Sequence, residues 1–347
     1  MIVCGLQINH GSSACIFNNE NIIWYNEESR LTKDKKRGGI PFLCIDQISK
    51  LNIKIDLIIL TGYNHIIEEI EQCKNYLTNK KIFAKEFCFY NPHHITHAYK
   101  ASVDSSFNEG RVFVIDGRGS DWYLSNGMQS YETTSIYDFN KDGLKCIYKK
   151  LYSIFPVGKE IKPLTNYNPY YNKINKKILN IGISNETKFD LDKNLDLGNF
   201  YTKASKHFGF KNDEEGKFMG YQSYGNYNES INKKIKEGVN IEKLPKDKDT
   251  ARTIQICFEK RYQNLIEKFK HKNMVFTGGT ALNVVNNYKV KKKFNDCNLW
   301  FDPLCSDVGN SIGAVYACFI NNKKKIKHLN NIYLGSTIQI DKKLLQK

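Results

Sequence analysis

Twice in this chain a short apolar run ends in a polar, glycine-bearing turn and comes back as alternating, strand-forming sequence. Residues 1–8 pass through Asn9, His10 and Gly11 into residues 14–17 and, after an Asn-Asn-Glu-Asn turn, residues 22–26. Residues 112–116 (VFVID) pass through Gly117, Arg118 and Gly119 into the strand-rich stretch DWYLSNGMQSYETTSIYDF. Apolar alternation broken by turn residues is the mark of paired strands, so two such openings constrain the chain to a duplicated α/β architecture. Between them, the spacing predicts a helix over 41–51, a strand over 57–61, a helix over 65–77 and a strand over 87–90. Past the second opening it predicts helices over 197–208, 250–269 and 309–321, with a strand over 273–277 that ends in Gly278-Gly279. Residues 152–194 are rich in Asn, Lys and Tyr with few periodic apolar positions and read as an irregular insertion. The expected division is a first lobe over 1–110, completed by about 318–347, and a second lobe over 111–317.

A length of 347 residues suits two lobes, and no apolar run approaches the roughly 20 residues of a membrane span. The N-terminus lacks the basic flank and long apolar stretch of a secretory signal, so a cytoplasmic protein is expected. Ten cysteines, scattered singly and without a CxxC pair, read as buried reduced thiols. Lys and Arg number 52 against 36 Asp and Glu, a net charge of +16 that comes partly from lysine clusters at 33–37, 289–293 and 323–327. Such clusters suit either a polyanion-binding face or plain solvated surface.

Three places carry residue types suited to chemistry. In NPHHITHAYKA, His93 and His97 stand four apart behind Pro92, so a helix starting there presents both imidazoles on one face, the spacing of a pair of metal ligands. His94 competes with His93 for that role. Asp116 ends a strand before Gly117, Arg118, Gly119 and Ser120, where a carboxylate faces a turn whose backbone amides can meet phosphate. In TGGTALN, Gly278 and Gly279 remove side chains where a nucleotide could approach, with Asn283 one turn into the next helix. In DPLCSDVGNSIGA, Asp307 stands before a glycine-rich helix start, as an oxygen ligand or as a helix cap.

The order and wording of these segments, NHGSSAC, NEESRLTKDKKRGG, HHITHA, VFVIDGRG, LGNFYTKASKHFGF, EEGKFMGYQSYG, FTGGTALN and DPLCSDVGNSIGA, resemble the O-carbamoyltransferase family of nodulation-factor and antibiotic biosynthesis (the NodU/CmcH type) over residues 1 to about 334. The resemblance implies a duplicated actin-like ATPase (ASKHA) fold whose two lobes enclose a nucleotide and metal cleft. It implies that His93, His97 and Asp307, with Asp116 nearby, hold a divalent metal, iron(II) in the family. His10 resembles the family histidine that helps deprotonate the acceptor hydroxyl, with Gly11 standing where the family has an aspartate. Lys217, Gly220, Gly278, Gly279 and Asn283 resemble the nucleotide-contacting loops, joined by Gly117 and Gly119 of the turn. Lys35 and Lys36 resemble the basic motif beside the carbamoyl phosphate site.

The implied reaction joins ATP and carbamoyl phosphate into carbamoyl adenylate and passes the carbamoyl group to an acceptor hydroxyl. Relatives continue into a further domain after a YLG motif, here Tyr333-Leu334-Gly335, and this chain stops at Lys347. A separate partner subunit supplying that domain is the favoured expectation, against adenylate formation in this lobe pair or an inactive remnant. The charge and the insertion's Tyr152, Tyr167, Tyr170 and Tyr171, with Lys159, Lys173, Lys176 and Lys177, suit phosphate contact and base stacking, which makes a hydroxymethylated pyrimidine in DNA one expected acceptor. A sugar or polyketide hydroxyl is the alternative acceptor. Transfer of a threonylcarbamoyl group to tRNA, and a non-catalytic nucleotide-binding subunit, are the competing functions.

Overall fold

β1 (Ile2–Gln7) is apolar along nearly its whole length, as a strand covered on both faces must be. The computed structural model of the chain describes residues 1–34, 38–62, 67–90, 92–124, 129–152, 163–164, 186–192 and 196–329. β1 pairs antiparallel with β2 (Ser13–Asn18), which pairs antiparallel with β3 (Asn21–Glu27). After α1 (Glu28–Thr32) and α2 (Phe42–Ser49), the chain returns to pair β4 (Ile55–Thr61) parallel to β1. α3 (Ile67–Asn79) leads to β5 (Ala84–Phe89), parallel to β4. The first sheet therefore runs β3-β2-β1-β4-β5.

α4 (His93–Asp104) connects to the second sheet, which repeats this order. β6 (Gly110–Ile115) follows α4; after β7 (Asp121–Leu124), β8 (Gln129–Asn140) pairs antiparallel with β6 and with β9 (Gly143–Tyr152). β10 (Pro163–Leu164) pairs with β7, and β11 (Lys188–Asp192) runs parallel to β9. The helices α5 (Leu197–His207), α6 (Glu215–Tyr221), α7 (Glu229–Lys236) and α8 (Lys248–Lys268) come before β12 (Asn273–Thr277), parallel to β6. α9 (Val284–Lys293), β13 (Asn298–Phe301) parallel to β12, and α10 (Asn310–Asn321) complete it. Thus β9-β8-β6-β12-β13 reproduces β3-β2-β1-β4-β5, with the same two antiparallel and two parallel pairings.

Strand alternation sorts the core into layers. Val3 and Ile59 of the first sheet, with Val112, Val114 and Val275 of the second, face a central core shared with α4 and α10. Cys4, Leu6, Ile58 and Leu60 face outward to α2 and α3, whereas Phe113, Ile115, Met274 and Phe276 face outward to α5, α7 and α8. The two sheets thus sandwich one helix pair. α4, which lies in the expected first lobe, packs on β6 and β12 of the second sheet; α10, mostly in the expected second lobe, packs on β1, β2 and β4 of the first. The lobes drawn along the chain at residues 110 and 318 exchange their closing helices in space.

α4 and α10 cross at Gly313, where a Cβ would fall 2.0 Å from the Thr96 carbonyl oxygen. Gly313→Ala must push the two helices apart, and we expect thermal or chemical unfolding to show a loss of about 1–3 kcal/mol. An unchanged unfolding midpoint would contradict this crossing.

Within the expected irregular insertion 152–194, Tyr152 ends β9, and Pro163–Leu164 and Lys188–Asp192 are strands; Lys159, Tyr167, Tyr170, Tyr171, Lys173, Lys176 and Lys177 lie outside the described residues, as do Lys35 and Lys36. All ten cysteines are free, and all but Cys297 are buried. No described helix is long and apolar enough to cross a membrane.

Candidate active site

The chain starts α4 at His93 directly behind Pro92, whose ring holds φ at −69° and which has no N–H to leave unsatisfied. One turn later on the same face comes His97. Asp116 arrives from the end of β6, and Asp307 from the short 3-10 turn Asp307–Gly309 that opens α10. His93 Nε2 lies 3.2 Å from His97 Nε2, 3.3 Å from Asp116 Oδ2 and 3.3 Å from Asp307 Oδ1. His97 Nε2 lies 3.3 Å from Asp307 Oδ1 and 3.7 Å from Asp116 Oδ2. All four residues are buried, and their donor atoms lie within 4.8 Å of one another.

This quartet fits a divalent cation. Neighbouring ligands each roughly 2.0–2.2 Å from one ion stand about 3.0–3.6 Å apart, close to most of these separations. The electrostatics agree. Burial alone would drive the His93 pKa down, yet the Asp307 and Asp116 carboxylates hold it up at about 10. Burial opposes ionisation of Asp307 as well, and the facing imidazoles nevertheless keep its carboxyl well below the usual range. Two buried carboxylates in contact with two imidazoles form a pocket that demands positive charge.

Asp116 is aimed by its surroundings. Its Oδ1 accepts N–H bonds from Gly117 at 2.8 Å and Gly279 at 3.2 Å, which leaves Oδ2 facing the histidines. The loop that brings Gly279 there depends on Gly278, whose φ of +87° suits glycine and whose Cβ would fall 2.5 Å from the Ile115 carbonyl oxygen. This corrects the expectation that the 117–120 turn offers its amides to phosphate. The Gly117 N–H is taken by Asp116, the Gly119 N–H by the Glu132 carbonyl at 2.7 Å, and the Ser120 N–H by the Glu132 carboxylate at 3.1 Å. Asp307 Oδ1 lies 3.3 Å from both imidazoles, the position the ligand alternative requires.

His94 is directed away from the quartet. Its Nδ1 lies 2.8 Å from Ser135 Oγ, its Nε2 abuts Gly119, and burial lowers its pKa to about 3. Below it, Glu132 bonds the His94 N–H at 3.2 Å and pairs with the buried Lys149. One buried carboxylate thereby ties the first turn of α4 to the Gly-Arg-Gly-Ser turn.

The remaining expected residues divide. His10 is half exposed, with Nε2 3.5 Å from Asp213 Oδ1, and Gly11 beside it packs on Asp307, where a Cβ would fall 2.7 Å from the Asp307 Cβ. Lys217 lies on α6, exposed and paired with Glu214 at 2.8 Å, and Gly220 of the same helix faces open space. Asn283 is not one turn into a helix: it caps α9, accepting the Asn286 N–H at 3.0 Å, and pairs its amide with Gln255 at 3.1 and 3.2 Å. Its side chain is thus committed to the fold. Sequence reasoning missed Asn310, whose Nδ2 lies 3.2 Å from His97 Nε2, and Asp213 opposite His10. It also missed the buried Lys100, three residues past His97, whose partners are Asp302 and Asp104. Asn310 sits three residues past Asp307, a spacing that could have placed both on one turn.

The match to known families falls on this same sequence: the profile described as "Carbamoyltransferase N-terminus" covers residues 58–242 and 236–318, well over half of the chain. The chain belongs to the carbamoyltransferase N-terminus family. The chain is similar to the uncharacterized protein MJ1051 of Methanocaldococcus jannaschii, 25% identical over 97% of this chain and 61% of that protein's length. The uncharacterized protein sll1178 of Synechocystis sp. is 26% identical over 71% of this chain and 40% of its own length. This carbamoyltransferase N-terminal chain therefore spans less than two thirds of either relative. Among solved structures, full-length HypF in its phosphate- and nucleotide-bound form superposes with a TM-score of 0.50 at 12% identity, over 92% of this chain and 55% of that one. That likeness is one of fold: the repeated sheet order is the actin-like ATPase architecture, with the buried quartet of His93, His97, Asp116 and Asp307 between its two halves.

Proposed function

We propose that this chain is the transferase part of a metal-dependent O-carbamoyltransferase, which moves a carbamoyl group from carbamoyl adenylate, made from ATP and carbamoyl phosphate, to an acceptor hydroxyl. The observation that carries the reading is the convergence of His93, His97, Asp116 and Asp307 on one buried point in a chain of this family. A divalent cation there, iron(II) in this proposal, supplies Lewis-acid stabilisation of negative charge on a phosphate or carbamoyl oxygen.

The chain's own residues do the rest. The amides of Gly117 and Gly279 hold Asp116 in position before substrate arrives, so no reorganisation is needed at the moment of reaction. His10 stands at the edge of the site beside Gly11, which packs on Asp307, exposed enough to meet an acceptor. In this reading it takes the hydroxyl proton as the oxygen attacks the carbamoyl carbon; the bond to the adenylate phosphate breaks and AMP leaves with the electron pair. Asp213 faces the imidazole from the second half, the side on which Lys217 and Gly220 leave α6 open to a nucleotide.

The acceptor in the proposal is a hydroxymethylated pyrimidine in DNA, supported by the +16 charge and by the exposed Lys291, Lys292 and Lys293 of α9. Supplying preformed carbamoyl adenylate tests the transferase half by itself, whether or not a partner subunit makes that intermediate. With a divalent cation and hydroxymethylated DNA, mass spectrometry should find one carbamoyl group added per modified base. Transfer to a sugar or polyketide alcohol but not to DNA would reject the DNA acceptor, and transfer to no hydroxyl would reject the enzyme reading.

A further inference from the structure

Asn310 stands inside the ligand cluster without belonging to the quartet. It is the first residue of α10 and fully buried. Its Nδ2 lies 3.2 Å from His97 Nε2, the same distance that separates His93 Nε2 from His97 Nε2, and 3.5 Å from His93 Nδ1. Its Oδ1 is buried and has no hydrogen-bond partner among the described residues. An unsatisfied buried amide oxygen costs about 1–3 kcal/mol, so a fold that keeps one beside four converging ligands calls for a reason.

Lone-pair bookkeeping supplies it. An N–H can bond to His97 Nε2 only through the lone pair on that nitrogen, and an imidazole nitrogen bound to a cation has already given that pair away. The present amide orientation and cation binding by His97 therefore exclude each other. A half-turn about the last side-chain bond exchanges Nδ2 for Oδ1, two groups of nearly equal size. It brings the unsatisfied oxygen to the position 3.2 Å from His97 Nε2, at ligand spacing within the cluster. There it satisfies itself by facing positive charge.

We propose that Asn310 supplies its side-chain oxygen as a fifth, uncharged ligand to the divalent cation held by His93, His97, Asp116 and Asp307. The inference rests on the metal reading above and deepens it. Two nitrogens and three oxygens suit an ion that accepts more than four ligands with oxygen among them, such as Fe²⁺ or Mn²⁺, rather than a closed tetrahedral zinc. Asn310 also ties the cation to α10, the helix that crosses α4 at Gly313 and rests on the first sheet.

The test uses Co²⁺ as the probe on the full 347-residue chain, read by calorimetry and by visible absorption, with no turnover needed. Asn310→Leu keeps the shape and removes the oxygen; Asn310→Asp keeps an oxygen at either orientation. Leucine is expected to weaken Co²⁺ binding by about 10–100-fold and to intensify the visible band as a ligand is lost, whereas aspartate binds at least as tightly as the native chain. Native affinity and spectrum in the leucine variant would overturn the proposal. So would equal weakening by leucine and aspartate with an unaltered band, the behaviour of a residue that merely steadies His97 through its N–H. Asn310→Ala replaces the leucine variant if metal-free thermal unfolding shows that one misfolded. A native chain that takes up no Co²⁺ would instead reject the metal reading itself.

Discussion

Asp307→Asn is expected to leave a folded chain that holds a divalent cation far more weakly and transfers carbamoyl groups at least about a thousandfold more slowly. The substitution keeps the side chain's shape, which matters because Gly11 packs against it, so closely that a Cβ on Gly11 would fall 2.7 Å from the Asp307 Cβ. What it removes is charge. Asp307 and Asp116 are the two carboxylates of the quartet, and Asp307 Oδ1 sits 3.3 Å from both imidazoles, so its neutralisation halves the negative charge that attracts the ion. A Lewis acid contributes several kcal/mol to a reaction that builds charge on oxygen, and each 1.36 kcal/mol is a factor of ten in rate. Unfolding curves with and without a divalent cation give the control: the native chain should gain stability from the ion and the variant should not. Wild-type transfer by a variant that no longer binds the ion would remove the metal from the mechanism.

Lys100→Met is expected to give the largest loss of stability, about 3–5 kcal/mol at neutral pH. Lys100 is 1% exposed and sits between Asp302 and Asp104, which are 3% and 5% exposed. Its ammonium pairs with Asp302 Oδ1 and lies 3.3 Å from Asp104 Oδ2. Asp302 in turn accepts the Thr277 hydroxyl at 3.1 Å and the Leu304 N–H at 3.0 Å, so this lysine ties α4, the helix of His93 and His97, to the ends of β12 and β13. Methionine fills the volume but leaves two buried carboxylates facing each other. Asp104 already has its pKa raised, chiefly by burial, with Lys100 acting against that rise. A carboxyl whose folded pKa is raised stabilises the folded state when protonated and loses that contribution as pH rises. The deficit of Lys100→Met should accordingly be smallest in acid and widen toward neutral pH, as urea unfolding at several pH values would show. A uniform deficit would mean that lost volume and contacts, not stranded charge, explain the effect.

How much of the site was legible depends on how local each signal is. His93 and His97 could be read together because a single helical turn sets their spacing, and Pro92 marks where that helix begins. The strand ends at Asp116 and at Gly278-Gly279 were legible because apolar alternation stops there. Choosing between His93 and His94 was not possible from spacing, since both sit about one turn from His97; Ser135 on β8 and Glu132 decide it by drawing His94 away. The turn amides misled for a related reason. Whether a free N–H in a turn meets phosphate or a protein oxygen depends on what packs above it, and here that is the chain's own Asp116 and Glu132.

From its order of residues alone, this chain carries its duplication, its family and its pair of metal-spaced imidazoles, because strand alternation, turn glycines and helical spacing act over a few residues and survive as local patterns. Folding in three dimensions decided which histidine joins His97 in the buried cluster, which carboxylates face the pair, and that Asn310, 213 residues from His97, stands among them. That contact exists because the closing helix of each half crosses to the other half's sheet and meets its counterpart at Gly313. No local pattern encodes such a crossing, since burial of both sheets against one shared helix pair is a property of the assembled core.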